Sequence, residues 1–227
     1  MTLILNLIAT SVGRPAYLGD WQGEHVTSGI RKTPLTDPTV AVSPTNIAGD
    51  QQADLTVHGG IDRVAYVYSA DHWWWWKEEA NFDAKPASFG ENLTVSGADE
   101  QQVRIGDRFL WGPVLLEVNS PRGPCHKFAL LTERSDMGPR MTASARTGWY
   151  CRAIETGIAP TVGALVRVLT DEAMPSVAET FIAAYQARSP IALLDKVITA
   201  PALNEEWRSS LIEKRKRKLE NGPASTA

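Results

Sequence analysis

Through residue 169 the chain is written as short apolar runs, each broken within a few residues by Gly, Pro, Asp or Asn. Punctuation at that spacing leaves no room for long helices, so the apolar side chains must be buried on short strands joined by turns. Strands are predicted at 3–9, 38–43, 64–68, 92–95, 108–111, 113–119, 150–155 and 164–169. Helical periodicity interrupts them at 69–81, where Ser69 is the N-cap candidate, and more briefly at 130–137. After Leu169 the pattern changes. Segments 176–188, 191–198 and 204–219 repeat their apolar residues at helical spacing, with Ser176 and Asn204 as caps and Pro175, Ser189-Pro190 and Ala200-Pro201 as breakers. The fold class is mainly β over 1–170, followed by a small three-helix extension over 171–222 and a disordered tail at 223–227.

A chain of 227 residues can bury a sizeable core, and its formal charge of −3 lacks the excess of cations that a nucleic-acid polymer demands. Any anion site must therefore be local. Two cysteines build no disulfide framework, so free thiols in a reducing compartment are expected, with one Cys125–Cys151 bridge as the alternative. The apolar start from Leu3 to Val12 has no basic leader and carries Asn6, which reads as a first strand rather than a signal peptide. No run approaches the roughly 18 apolar residues of a membrane helix. The expected location is the cytoplasm, with no membrane partner.

Two runs stand out without demanding a function. Trp73 to Trp76 are four successive indoles that cannot share one side of a helix, so at least one is expected at a surface while the run as a whole reads as packing. Lys214 to Lys218 are five successive cations at the end of the last helix, read as a solvated face that suits the helix dipole.

The chemistry gathers around Asn119-Ser120-Pro121-Arg122-Gly123-Pro124-Cys125-His126-Lys127, directly after a predicted strand. A free cysteine is most often a small buried hydrophobe. Here Arg122 and Lys127 bracket Cys125, a setting that favours the thiolate form that binds metals. Three further segments combine glycine with polar groups: Ser28-Gly29-Ile30-Arg31-Lys32, the stretch from Gly49-Asp50 to Val57-His58-Gly59-Gly60-Ile61-Asp62-Arg63, and Phe89-Gly90-Glu91-Asn92-Leu93. Singly each is weak, since a lone His58 or a Gly59-Gly60 pair is more often structural. Cys151 lies inside an apolar, strand-like run and reads as core. Cys125, His126, His58 and Cys151 match no compact zinc spacing, and adjacent Cys125 and His126 would point oppositely on a strand. A Cys–His hydrolase would need an orienting third group and an oxyanion hole that nothing in the sequence supplies.

Taken together and in order, GDQQAD, VHGGIDR, FGENL, IGDRFLWG, SPRGPCHK and TGWYCR resemble the MOSC domain, the module named after the molybdenum-cofactor sulfurase C-terminus. The resemblance covers roughly residues 25–169, is closest to the bacterial YiiM-type members, and the helical tail is similar to the three-helix extension those members carry. It implies a closed or strongly curled β-barrel that binds the molybdenum cofactor, a molybdopterin. By resemblance Cys125 is the molybdenum ligand, a soft thiolate suited to a sulfur-coordinated metal. For the anionic cofactor the candidates are Lys32, Arg63, Arg122, Lys127 and Arg152, with His58, Gly59, Gly60 and Asn92 as hydrogen-bonding neighbours. His126, where the family often has an aromatic residue, is the candidate for touching substrate. Ile61 replaces a frequent proline and Arg31 a frequent apolar residue.

The resemblance further implies an oxidoreductase that reduces N-hydroxylated compounds, such as 6-hydroxylaminopurine, to amines. With no flavin, haem or iron–sulfur motif in the sequence, a separate flavoprotein or iron–sulfur electron donor is the expected partner. A homodimer is compatible with the sequence. The rival readings are a module that carries the cofactor or its sulfur without turnover, and a metal-free thiol enzyme.

Overall fold

The structure is a computed structural model and describes residues 2–53 and 60–220. Its strands are β1 (Ile4–Val12), β2 (Ala16–Trp21), β3 (Glu24–Ser28), β4 (Thr33–Pro34), β5 (Thr39–Val42), β6 (Ala65–Ser69), β7 (Leu93–Ser96), β8 (Arg108–Trp111), β9 (Val114–Pro121), β10 (Trp149–Glu155), β11 (Gly157–Pro160) and β12 (Gly163–Leu169). Seven of them run in the order β12-β8-β9-β10-β6-β7-β1, and β1 pairs back onto β12 with Ile4 opposite Val166 and Leu7 opposite Gly163. The sheet is thus a closed barrel, which leaves no free edge. Among the described residues only β6 and β7 pair in parallel, which their long connection through helix α1 (Trp73–Ala80) permits.

Alternation does the work that the apolar runs promise. Along β1 the side chains of Leu5 and Leu7 are fully buried while Ile4 and Asn6 face outward. Each buried leucine stabilises the fold by roughly 1.5–3 kcal/mol. The barrel interior, with Val95, Phe109, Trp111, Leu116, Val118 and Trp149, is continuous with the helical tail, because Val177, Leu194, Val197, Leu203 and Leu211 belong to the same buried cluster. That tail comprises α4 (Val177–Tyr185), α5 (Ile191–Ile198) and α6 (Glu205–Glu220). The expected cap residues serve as such: Ser176 forms a capping box with Glu179, and Asn204 Oδ1 accepts from the backbone N–H of Glu206 at 2.9 Å. In the basic run Lys216 and Arg217 are exposed, as a solvated face requires, while two lysines turn back onto the chain. Lys214 Nζ donates to the carbonyls of Ala183, Ala184 and Gln186, and Lys218 Nζ to Ser189, so these cations satisfy the end of α4.

A second, aromatic cluster lies under α1 and helix α2 (His126–Thr132). Trp76 is fully buried there against Phe89 and Phe128 and donates from Nε1 to the Tyr68 hydroxyl, while Trp74 remains 63% exposed. Trp73 and Trp75 are partly buried against the same cluster, so the four-indole run packs through three members and leaves one at the surface, as helical geometry requires.

One expectation needs correction, and two features of the sheet were not foreseen. The helix predicted at 130–137 is two helices, α2 and α3 (Met137–Ser144), parted where Glu133 turns left-handed with φ 54°. Pro139 is accommodated in the first turn of α3, where its missing N–H has no partner to lose. The hairpin β2–β3 carries no Asn-Gly or Asp-Gly signal because its turn uses Gln22 and Gly23, at φ 51° and 87°. Strand β11, paired with β5 outside the barrel, was equally silent in the sequence.

Glu91 shows how tightly one motif is built into this frame. It is fully buried, and its Oε1 accepts from Ala87 N–H at 2.8 Å and the Thr94 hydroxyl at 2.8 Å while Oε2 accepts from Phe89 N–H at 3.0 Å. A glutamine amide, in either orientation, would set an NH2 group against one of those backbone donors. Glu91→Gln is expected to lower the unfolding free energy by about 1–3 kcal/mol, read as a lower urea midpoint.

Candidate functional site

One cavity of about 610 Å³ opens where these parts meet. Its size suits a large organic ligand. Residues 28–30, Lys32, 50–53, Gly90 and Asn92, and 122–127 line it from the barrel together with Tyr66 of β6 and Tyr150 of β10, and α4 and α6 close the remaining side.

Close backbone packing brings the separate segments together. A Cβ on Gly29 would lie 2.1 Å from the carbonyl oxygen of Gln51, and one on Gly90 would lie 2.4 Å from Ile30 Cγ1 at a backbone φ of 77°. Both positions demand glycine. Asp50 then joins the pieces: its Oδ1 accepts from Gly13 N–H at 2.8 Å and pairs with the Lys32 ammonium, and its Oδ2 accepts from Asn92 Nδ2 at 3.0 Å. Burial pulls Lys32 below its ordinary range while Asp50 works in the opposite direction. Asn92 also accepts from Tyr66 N–H at 3.1 Å and donates to Ser11 at 3.2 Å. Its amide is therefore committed to scaffolding, although the residue lines the cavity.

Strand β9 ends at Pro121, and the chain enters α2 through Cys125, which has extended backbone and does not cap the helix with its side chain. Cys125 is thus at a strand-to-helix corner rather than on a strand, and its thiol is free and partly exposed on the cavity wall. Cys151 is also free, but it is buried inside the barrel, where burial pushes its thiol far up. His126 stacks on Trp21 of the β2–β3 hairpin, with ring centroids 5.3 Å apart, and burial followed by the charge of Lys127 pulls its imidazole below the ordinary range.

The charges are unevenly matched. Of the four cations lining the cavity, Lys32 pairs with Asp50 and Arg63 with Glu206. Arg122 and Lys127 have no carboxylate within 4.0 Å among the described residues. Arg122 is only 5% exposed; its guanidinium lies 5.1 Å from the Tyr66 ring centroid and 5.6 Å from that of Phe128, and one nitrogen donates to Met141 Sδ. A buried cation without a counter-charge costs the fold several kcal/mol, roughly, unless an anion joins it. With the soft thiol of Cys125 beside it, that demand fits a metal-bearing, phosphorylated cofactor.

Of the residues singled out in the sequence, Cys125, His126, Lys127, Arg122, Lys32, Arg63 and Asn92 meet in this cavity. Arg152 is not part of its lining. It pairs with Asp62 at 3.0 Å and Glu117 at 3.7 Å and donates to the Ala202 carbonyl at 2.9 Å, anchoring the extension to the barrel. Gly60, at φ 100°, turns the chain into the short helical turn Ile61–Arg63, also outside the lining. His58 and Gly59 lie outside the described residues. Sequence reasoning missed Asp50 as the junction, although it stands in the GDQQAD segment, and missed Tyr185, Glu206 and Trp207 altogether. Nothing local marks those three, because their role depends on docking helices onto the barrel.

Comparison with known proteins agrees with this construction. Residues 54–168 match the MOSC domain. The chain is 33% identical over 216 residues to YflK of Bacillus subtilis strain 168, an uncharacterized protein, spanning 94% of this chain and 96% of that one. It is 34% identical over 141 residues to a protein of Gibberella moniliformis named a reductase, spanning 60% of this chain but 24% of that much longer one. The crystal structure of YiiM from Geobacillus stearothermophilus has a similar fold, with a TM-score of 0.77 at 26% identity over 93% of this chain and 99% of that one. With barrel, motifs and relatives in agreement, the chain belongs to the MOSC domain family.

Proposed function

We propose that this chain is a molybdenum-cofactor-dependent oxidoreductase that reduces N-hydroxylated compounds to amines. The observation that carries the reading is the pairing of a partly exposed Cys125 thiol with the buried Arg122, which meets no carboxylate among the described residues, on one cavity wall. The name of the fungal relative, a reductase, supports the reaction class.

In the balanced reaction R–NHOH takes up two protons and two electrons, the N–O bond breaks, and R–NH2 and water leave. The cofactor, when bound, supplies the two-electron chemistry at the N–O bond. Cys125 would hold the metal through its thiolate. Arg122 and Lys127 would hold the cofactor's phosphate, with Lys32 oriented by Asp50 and Asn92 at its side. His126, neutral near neutral pH and restrained by its stack on Trp21, offers a ring nitrogen at the cavity rim for passing a proton to substrate. Electrons come from a separate flavoprotein or iron–sulfur protein in the same compartment, taken to be the cytoplasm.

The test is to purify the full chain from a host that makes molybdopterin and incubate it with 6-hydroxylaminopurine and an artificial two-electron donor. Adenine should form at a rate proportional to molybdenum content. Loaded protein that converts no N-hydroxylated compound contradicts the proposal and favours a carrier role.

A further inference from the structure

The wall facing the barrel side of the cavity lies outside the family-matched span of 54–168. Helices α4 and α6 contribute Tyr185, Glu206 and Trp207 to it. Tyr185 is 45% exposed although its ring stacks on the buried Phe181 at 4.6 Å and meets the Trp207 ring edgewise at 6.0 Å. Aromatic surface thus remains open to the cavity. It also comes close to the reactive segment: a Cβ on Gly123, two residues before Cys125, would lie 3.0 Å from the Tyr185 hydroxyl.

The wall is rigidly placed. Asn204 caps α6 at the Trp207 N–H, 3.3 Å away, and donates to Asp62 Oδ2 at 2.8 Å, while Lys214 holds the carbonyls of Ala183 and Ala184 just before Tyr185. Ordering costs on binding are therefore already met. Glu206, steadied by Arg63, adds an acceptor beside the rings. Rings that offer stacking and a carboxylate that accepts N–H groups together match a flat nitrogen heterocycle, and they offer an aliphatic chain nothing comparable.

We infer that Tyr185 and Trp207 determine specificity, selecting flat heteroaromatic N-hydroxylated substrates over aliphatic ones. The inference rests on the reductase reading for the reaction, while the stacking surface itself is testable without turnover. The full chain, purified from a molybdopterin-producing host, is titrated with adenine by calorimetry, and KM is measured for 6-hydroxylaminopurine and for N-methylhydroxylamine. Tyr185→Leu and Trp207→Leu should each weaken adenine binding and raise KM for the purine by about 5- to 100-fold, the loss expected of a stacking partner. KM for N-methylhydroxylamine should not move, and Tyr185→Phe should behave as the parent chain. Should Trp207→Leu disturb folding, the more exposed Tyr185 decides the matter alone. Adenine that does not bind the parent chain, binding unchanged in Tyr185→Leu, or an equal change in both KM values overturns the inference. If no N-hydroxylated compound is reduced but adenine binding falls in the leucine variants, the reductase reading fails and the stacking surface stands.

Discussion

Cys125→Ser is expected to cut the reduction of 6-hydroxylaminopurine by at least about a hundredfold, because a hydroxyl is a poor replacement for a soft thiolate ligand. The same variant should hold its unfolding free energy within about 0.5 kcal/mol, as expected for a partly exposed side chain outside the packed core. Among the described residues its thiol makes no capping bond to α2 and no disulfide, so neither is lost on substitution. Stopped-assay product formation and a urea melt on the same preparation separate the two effects. Activity equal to that of the parent chain would remove Cys125 from the reaction, and loss of activity through unfolding would show as a shifted urea midpoint.

Arg122→Met is expected to move cofactor retention and stability in different directions. The guanidinium is buried among Tyr66, Phe128 and Met141 with no carboxylate within 4.0 Å among the described residues, so an apolar side chain of similar length relieves a desolvated charge. The variant should therefore melt no lower than the parent chain when both are purified from a host lacking molybdopterin. Cofactor retention should fall by about 10- to 100-fold, the equivalent of one charge-assisted hydrogen bond of about 1.5–3 kcal/mol. Fluorometric pterin analysis after gel filtration checks the first quantity and calorimetric melting the second. A structural arginine would give the opposite signature, a lower melting temperature with pterin content unchanged.

These two residues also show which parts of the molecule could be read from its order of amino acids. Cys125, Arg122 and Lys127 are neighbours in sequence, so their conjunction was visible before any folding, and the barrel strands were visible because alternation and turn residues are local properties. Ser176 and Asn204 were recognisable as caps for the same reason. Local patterns failed where geometry is set by distant contacts. The β2–β3 hairpin depends on Gln22 taking a left-handed conformation that its side chain does not advertise, and Trp21 at its tip supports His126 only after folding. Arg152 has the right charge for an anion site, yet Glu117, its cross-strand neighbour on β9, and Asp62 claim it. Tyr185 and Trp207 sit about 60 and 80 residues beyond Cys125 in the chain and reach the cavity only because the extension shares the barrel's core. A charged or aromatic residue declares its chemistry in sequence, but which partner satisfies it is a property of packing.

The central claim is that the cavity around Cys125 holds a molybdenum cofactor. The most direct measurement is the molybdenum and pterin content of the full chain purified from a molybdopterin-producing host, by elemental analysis and fluorescence of the oxidised pterin, alongside Cys125→Ser and Arg122→Met. The account predicts metal and pterin together in the parent chain, weaker retention of both together in Cys125→Ser, and loss of both in Arg122→Met. A folded parent chain that carries neither under any expression condition would contradict it.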